Sequence, residues 1–235
     1  MTAPPLACLI PAHNEAVRIG AVLRAVTGHP DVAQVLVIDD GSRDGTAEVA
    51  RAHGAEVLCL SPNRGKTAAL AAGIAVVQAP YLMLLDADLI GLGAGDISRL
   101  IAPVTGGRAD VTLSLRGNAP WLWQRIGVDY ISGERVLPRV LVAPHLARLE
   151  TLPRFGFEVF LNRLILDAGL RVDVVRWPGV ASPSKAAKRG AWRGPLADAA
   201  MLADMMRAVP PLELVRQIAA LCPHRSRFPH AEHPG

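Results

Sequence analysis

The chain has 235 residues, 51% of them apolar and only 4% aromatic, so it can bury a sizeable aliphatic core, and the composition argues against long disorder away from the ends. A formal net charge of +4, carried by scattered arginines with no basic stripe interleaved with aromatics, argues against nucleic acid as a partner. Cys8, Cys59 and Cys222 are far apart and odd in number, which excludes a CxxC pair or a zinc spacing and fits a reducing cytoplasm.

Leu6–Ala12 is a short apolar run and reads as a strand, closed by Pro11. Asn14 is placed to cap the following helix, whose apolar positions are Val17, Val22, Leu23 and Val26 and which Gly28-His29-Pro30 ends. Val35–Ile38 predicts a second strand, with Asp39-Asp40-Gly41-Ser42 as its turn. Ser42 or Asp44 can cap the next helix, which runs to about His53-Gly54. Glu56–Leu60 predicts a third strand, Ser61-Pro62-Asn63-Arg64-Gly65 a loop, Lys66–Val77 an alanine-rich helix and Tyr81–Leu85 a fourth strand. This β-α-β-α-β-α-β order with short connections predicts an α/β fold with a mostly parallel central sheet and helices on both faces.

The second half is less regular. Ala94–Pro103 predicts a helix, Asp110–Leu115 a strand, Gly117–Trp123 a loop, and Pro138–Leu149 short helices broken by prolines. Gly156–Ala168 is helical, with Phe157, Phe160, Leu161, Leu164 and Ile165 on one face, and Leu170–Val175 is a further strand. Pro178–Pro195 is a loop, Pro195–Ala208 and Leu212–Leu221 are apolar helices, and residues 223–235 form a polar tail expected to fray.

Asp86-Ala87-Asp88 stands where the fourth strand ends. Open α/β folds bind ligands at that carboxyl edge, and paired carboxylates there suit a hard divalent cation that takes phosphates as further ligands. Alone, the pattern is no more than a strand end and a polar turn. Asp39 and Asp40 follow the second strand, where an acid can accept from a base N–H or ribose hydroxyls. One of them would suffice for an Asx turn. Asp44-Gly45-Thr46 reads as helix capping. Lys66 opens a helix, where its charge opposes the macrodipole unless an anion is bound.

These segments, in this order, resemble the GT-A glycosyltransferases, most closely family 2 in the broad sense, a group that includes polyprenyl-phosphate sugar transferases. Pro11-Ala12-His13-Asn14-Glu15, Asp39-Asp40-Gly41-Ser42-Arg43-Asp44, Asn63-Arg64-Gly65-Lys66 and Asp86-Ala87-Asp88 carry the resemblance. So do Ser132-Gly133-Glu134-Arg135, similar to the family's Ser-Gly-x-Arg acceptor-side loop, and Gly156-Phe157-Glu158-Val159. The resemblance covers about residues 6–180. It implies a GT-A domain over 1–194, with a nucleotide-binding half over about 1–90, an acceptor half over about 91–194, and a helical appendage over 195–222.

The resemblance further implies a nucleotide-sugar donor, UDP-linked by family frequency, and Mn²⁺ or Mg²⁺ held by Asp88 with Asp86 as a ribose or water-mediated partner. Pro11, Ala12, Glu15, Asp39, Asp40, Lys66 and Ala87 would line the nucleotide. Arg135 would add positive charge near the diphosphate or an acceptor phosphate, and Glu158 would be the base for the acceptor hydroxyl or else a partner of the helix dipole. Inversion is implied by family 2, although the retaining glucosyl-phosphoglycerate synthases share much of the pattern. Where relatives carry a metal-binding His after the last strand, this chain reads Val180-Ala181-Ser182-Pro183-Ser184-Lys185, with Lys185, Lys188 and Arg189 as alternative diphosphate contacts.

Competing readings are a sugar-nucleotide sensor without turnover and a nucleotidyltransferase. The latter should show a Gly-rich phosphate loop where Pro11–Glu15 stands. No signal peptide and no bilayer-spanning run are expected, which predicts a cytoplasmic protein that is soluble or peripheral to the inner face of the membrane. Leu202, Met205, Met206, Val209, Leu212, Leu214 and Val215 leave three alternatives for the C-terminal stretch: core packing, membrane docking towards a lipid-phosphate acceptor, or a homodimer contact. A small phosphorylated molecule is the other acceptor class.

Overall fold

The structure, a computed structural model, describes residues 5–152, 156–183 and 211–221. Seven strands form one sheet in the order β3-β2-β1-β4-β6-β5-β7. The first four are β1 (Leu6–Ala12), β2 (Gln34–Asp40), β3 (Glu56–Leu60) and β4 (Tyr81–Leu84); the rest are β5 (Val111–Arg116), β6 (Arg135–Pro138) and β7 (Val172–Trp177). All neighbouring pairs are parallel except those made by β6, which runs antiparallel to β4 and β5. The predicted alternation over the first half holds, with α1 (Ala16–Val26), α2 (Thr46–Ala52) and α3 (Lys66–Val76) between the first four strands.

Strand pleating sends alternate side chains to opposite faces, and each face meets its own helices. Leu6, Cys8 and Ile10 of β1 pack with Ile19, Val22 and Leu23 of α1 and with Ile97, Leu100 and Ile101 of α4 (Ala94–Thr105). Ala7 and Leu9 pack on the other face with α3 and with Phe157, Leu161 and Ile165 of α8 (Gly156–Asp167). Helix α9 (Pro211–Leu221) lies against α8, and the Tyr130 hydroxyl donates to Gln217 Oε1 at 2.6 Å, so this part of the C-terminal stretch packs on the core. Leu214 and Leu221 are buried while Leu212 and Val215 are exposed. The other residues of that stretch, the predicted helix over 195–208, Lys185, Lys188, Arg189 and the tail lie outside the described residues.

Two elements depart from expectation by existing. Trp121–Ile126 is a short helix, α5, entered from Pro120, where a loop was predicted. The polar Ser-Gly-Glu-Arg segment runs directly into β6, which the sequence pattern did not mark because four residues carry no readable period. The stretch Pro138–Leu149 does break into short helices, α6 (Arg139–Val142) and α7 (Leu146–Leu149) joined by a 3₁₀ turn. Capping of α1 also differs. Asn14 takes a left-handed backbone, φ 55°, and its Oδ1 accepts from the Arg43 N–H at 2.9 Å. The α1 amide of Ala16 is satisfied by Asp44 across the fold at 3.1 Å, so Asp44 stitches the loops after β1 and β2.

Strand order reverses between β1 and β4, both parallel, which makes the crevice beyond their carboxyl ends the topological switch point of the sheet. Register places the acids there: Ala12 pairs with Asp39, and Leu9 with Leu84, two residues before Asp86. β6 begins where β4 ends, with Arg135 opposite Leu84, so its antiparallel course returns Ser132–Glu134 to the same edge.

Candidate active site

Of the predicted residues, Pro11, Ala12, Glu15, Asp40, Lys66, Asp86, Ala87 and Asp88 line one cavity of about 310 Å³ at this switch point. Its walls are the exits of β1 and β4 and the start of α3. Gly65 precedes α3 with φ 92°, a left-handed-region backbone suited to glycine, and this turn aims Lys66 inward. The Lys66 ammonium donates to Asp86 Oδ1 at 2.7 Å and to Glu158 Oε1 at 3.4 Å. Glu158 reaches it from the first turn of α8 and is nearly buried.

Asp39 and Asp40 divide their work. One Asp39 oxygen accepts from the Ser42 N–H at 3.0 Å, closing the turn, while the residue borders an adjoining groove of about 900 Å³ rather than the first cavity. Asp40 accepts from the Arg64 and Gly65 amides at 2.8 and 2.7 Å, and its carbonyl accepts from Asn63 Nδ2 at 2.9 Å. Asp40 therefore holds the loop that delivers Lys66, a role the sequence did not reveal. Glu15 donates its N–H to Thr46 at 2.9 Å and takes Arg18 at 3.1 Å, and its side chain still borders the cavity.

Arg135 is not brought to the cavity. It is fully buried, its Nε donates to the Ser132 carbonyl at 3.2 Å, its Nη2 makes a second bond there, and Nη1 donates to Asn162 Oδ1 at 3.2 Å. Its side chain, rooted opposite Leu84 inside the sheet, turns back on its own loop and so lies behind the cavity lining rather than in it. Behind Asp86 stands a charge cluster that sequence reasoning missed. Arg116, at the end of β5, donates to Glu134 Oε1 at 3.2 Å and to Asp129 Oδ2 at 3.4 Å, and also bonds the Ser182 hydroxyl. Glu134 is fully buried and accepts from the Ser114 hydroxyl at 2.7 Å. Arg116 could have been found by the same strand-end logic that singled out Asp86. Glu134 occupies the variable position of the Ser-Gly-x-Arg pattern, so nothing marked it.

Burial disfavours charge throughout this cluster, and specific partners decide the outcome. For Lys66 burial is the largest influence, but Asp86 and Glu158 outweigh it and hold the ammonium above its ordinary range. For Asp86 burial again pushes upward, and Lys66 overcomes it, so the carboxyl stays ionised to lower pH than usual. For Glu134 burial wins: its carboxyl is pushed up despite Arg116, with Asp86 adding to the push. Burial likewise pushes Asp129 up against Arg116.

The carboxylates that could hold a metal at this cavity are Asp86 and Asp88. Among the described residues no three His, Cys, Asp or Glu side chains converge into a metal centre. Two carboxylates opening on a cavity nevertheless fit Mg²⁺ or Mn²⁺, which is commonly held by one or two protein carboxylates and completed by water and phosphate oxygens.

The chain is similar to known proteins in sequence and in fold. The chain is 32% identical over 213 residues to an uncharacterised glycosyltransferase of Mycobacterium tuberculosis, covering 83% of this chain and 94% of that protein. It is 33% identical over 127 residues to an undecaprenyl-phosphate 4-deoxy-4-formamido-L-arabinose transferase of Aeromonas hydrophila, covering 50% of this chain and 38% of that one. Among solved structures it is similar to glucosyl-3-phosphoglycerate synthase of Mycobacterium tuberculosis, described in complex with Mn²⁺, UDP and glucosyl-3-phosphoglycerate. The TM-score is 0.67 at 21% identity, over 93% of this chain and 80% of that one. The shared architecture is the GT-A fold. The model of the family described as Glycosyl transferase family 2 matches residues 7–145. The chain, a glycosyltransferase by sequence and by fold, belongs to glycosyl transferase family 2.

Proposed function

We propose that the chain moves a sugar from a nucleoside diphosphate donor, a UDP-sugar, to a phosphorylated acceptor, and that the cavity between β1 and β4 holds the donor's diphosphate. The observation that carries this reading is the convergence of Asp86, Asp88 and Lys66 on one cavity at the switch point of a family 2 chain. The synthase of similar fold, described with Mn²⁺ and UDP, supports the donor and metal classes. The acceptor class rests on names: that synthase is described with a glucosyl phosphoglycerate and a relative is an undecaprenyl-phosphate transferase.

In this reading Asp88, with Asp86 beside it, would hold Mn²⁺ or Mg²⁺, and the metal would supply Lewis-acid neutralisation of charge on the diphosphate. Lys66 adds a fixed positive charge, kept ionised by Asp86 and Glu158. The groove beside Asp39 receives the base, with the Asp39 carboxylate as hydrogen-bond acceptor. Glu158 takes the acceptor proton as the new glycosidic bond forms, with inversion at the anomeric carbon. The test is turnover of radiolabelled UDP-sugars with Mn²⁺ against lipid phosphates and small phosphorylated acceptors. Transfer with release of UDP is expected. Tight UDP binding with no transfer or hydrolysis across the panel would instead establish a sugar-nucleotide sensor, and absence of UDP binding would remove the donor assignment.

A further inference from the structure

Arg135 is a fully buried cation that does not line the cavity, with Glu158 foremost among the charges around it. Burying an arginine is costly unless its donors are used. Here both edges of the guanidinium are used: Nε and Nη2 donate to the Ser132 carbonyl of the loop just before it, and Nη1 donates to Asn162 Oδ1 of α8 at 3.2 Å. Asn162 in turn donates to the Tyr130 carbonyl at 2.7 Å, and the Ser132 N–H donates to the Asp129 carbonyl at 3.0 Å. The turn from Tyr130 to Arg135 is thus wound around this one side chain.

That turn presents Gly133 to the Lys66–Asp86 pair. A Cβ on Gly133 would stand 2.9 Å from Asp86 Oδ1 and 2.9 Å from Lys66 Nζ. A side chain there would push the Lys66 and Asp86 head groups aside, so in the native arrangement backbone forms the wall behind the ion pair. A wall matters there because the Lys66 side chain keeps part of its surface in solvent and a flexible lysine loses rotamer freedom when it is held still.

We propose that Arg135 is a positioning residue: through Ser132 and Asn162 it fixes the turn that seats Gly133 against Lys66 and Asp86, and so sets where the Lys66 ammonium stands. Lysine is a poor replacement, since its compact ammonium lacks the planar fork that spans Ser132 and Asn162 from opposite edges.

The test reads Lys66 directly. The chain has three lysines, Lys66, Lys185 and Lys188, so the last two serve as references in a competitive acetic anhydride labelling of the folded protein followed by mass spectrometry. Arg135→Lys and Asn162→Ala, each checked for a native circular dichroism spectrum, are expected to raise Lys66 labelling about tenfold over the references, the size of one lost charge-assisted hydrogen bond. Gly133→Ala should do the same, and Gly133→Ala combined with Asn162→Ala should add little, because both act through one turn. Should Arg135→Lys not fold, Asn162→Ala decides alone. Unchanged Lys66 labelling in folded Asn162→Ala, or in Gly133→Ala, overturns the proposal.

A second arm rests on the proposed function: the same variants should bind UDP with Mn²⁺ about tenfold more weakly by calorimetry. If the unsubstituted protein does not bind UDP, the donor assignment fails while the labelling arm still decides the role of Arg135.

Discussion

Asp88 and Asp86 share a cavity but not an environment, and their substitutions should separate. Asp86 is held by Lys66 at 2.7 Å, so Asp86→Ala releases a cation as well as removing an acid. Asp88→Ala should leave that pair intact and abolish the Mn²⁺ dependence of UDP affinity; equal affinity with and without chelator in the unsubstituted protein would discard the metal assignment. Glu158→Gln should lower turnover about 100-fold or more, the range of a lost general base, while UDP affinity changes little. Full activity in that variant would leave Glu158 as a partner of Lys66 only. The sequence exposed these acids through their place after apolar strands or at a helix start. It could not show that Glu158 touches Lys66, because 92 residues separate them and only the packing of α8 brings them together.

The loop between β3 and α3 depends on one carboxylate. Asp40 takes the Arg64 and Gly65 amides, and a carboxylate accepting two backbone N–H groups makes charge-assisted bonds. Asp40→Asn turns one acceptor into an N–H donor facing a donor. It should cost about 1.5–3 kcal/mol in urea unfolding and weaken UDP binding by loosening Lys66. Helix α3 itself was legible from its alanine-rich run, and its seat explains the small residues. A Cβ on Gly73 would come within 2.8 Å of Ile38 Cδ1, so Gly73→Ala overpacks the α3–β2 contact and should destabilise by about 1–3 kcal/mol. Wild-type stability in that variant would show that Ile38 can rotate away without cost.

Across the whole molecule, the buried cluster behind Asp86 makes stability depend on pH with two opposed signs. Glu134 and Asp129 have folded-state values pushed above their ordinary 4.5 and 3.8, so they hold protons more tightly folded than unfolded. Their contribution is full below those ordinary values and is lost as pH rises through the raised ones. Asp86 is depressed below 3.8, so its contribution is present above that value and disappears only as pH falls through the lowered one. The melting temperature should therefore decline as pH rises from mildly acidic to neutral, and Glu134→Gln should flatten the decline while keeping a carbonyl acceptor for Arg116. An unflattened profile would assign the slope to Asp129 or to groups elsewhere.

By itself, the sequence determined the alternating first half, the strand-end acids and the family, because these are local signals: apolar runs of strand length, turn residues at their ends, and a glycine before Lys66. The switch-point cavity followed once the strands were parallel and ordered. Tertiary structure alone decided what the Ser-Gly-Glu-Arg segment does. The short strand β6 enters antiparallel between β4 and β5, a long-range pairing that no local period encodes. That insertion buries Arg135 and Glu134 and sets Gly133 against Lys66. Which charges face the cavity and which support it from behind is a property of strand order, since burial and partners, not residue type, settle whether a charge is presented or enclosed.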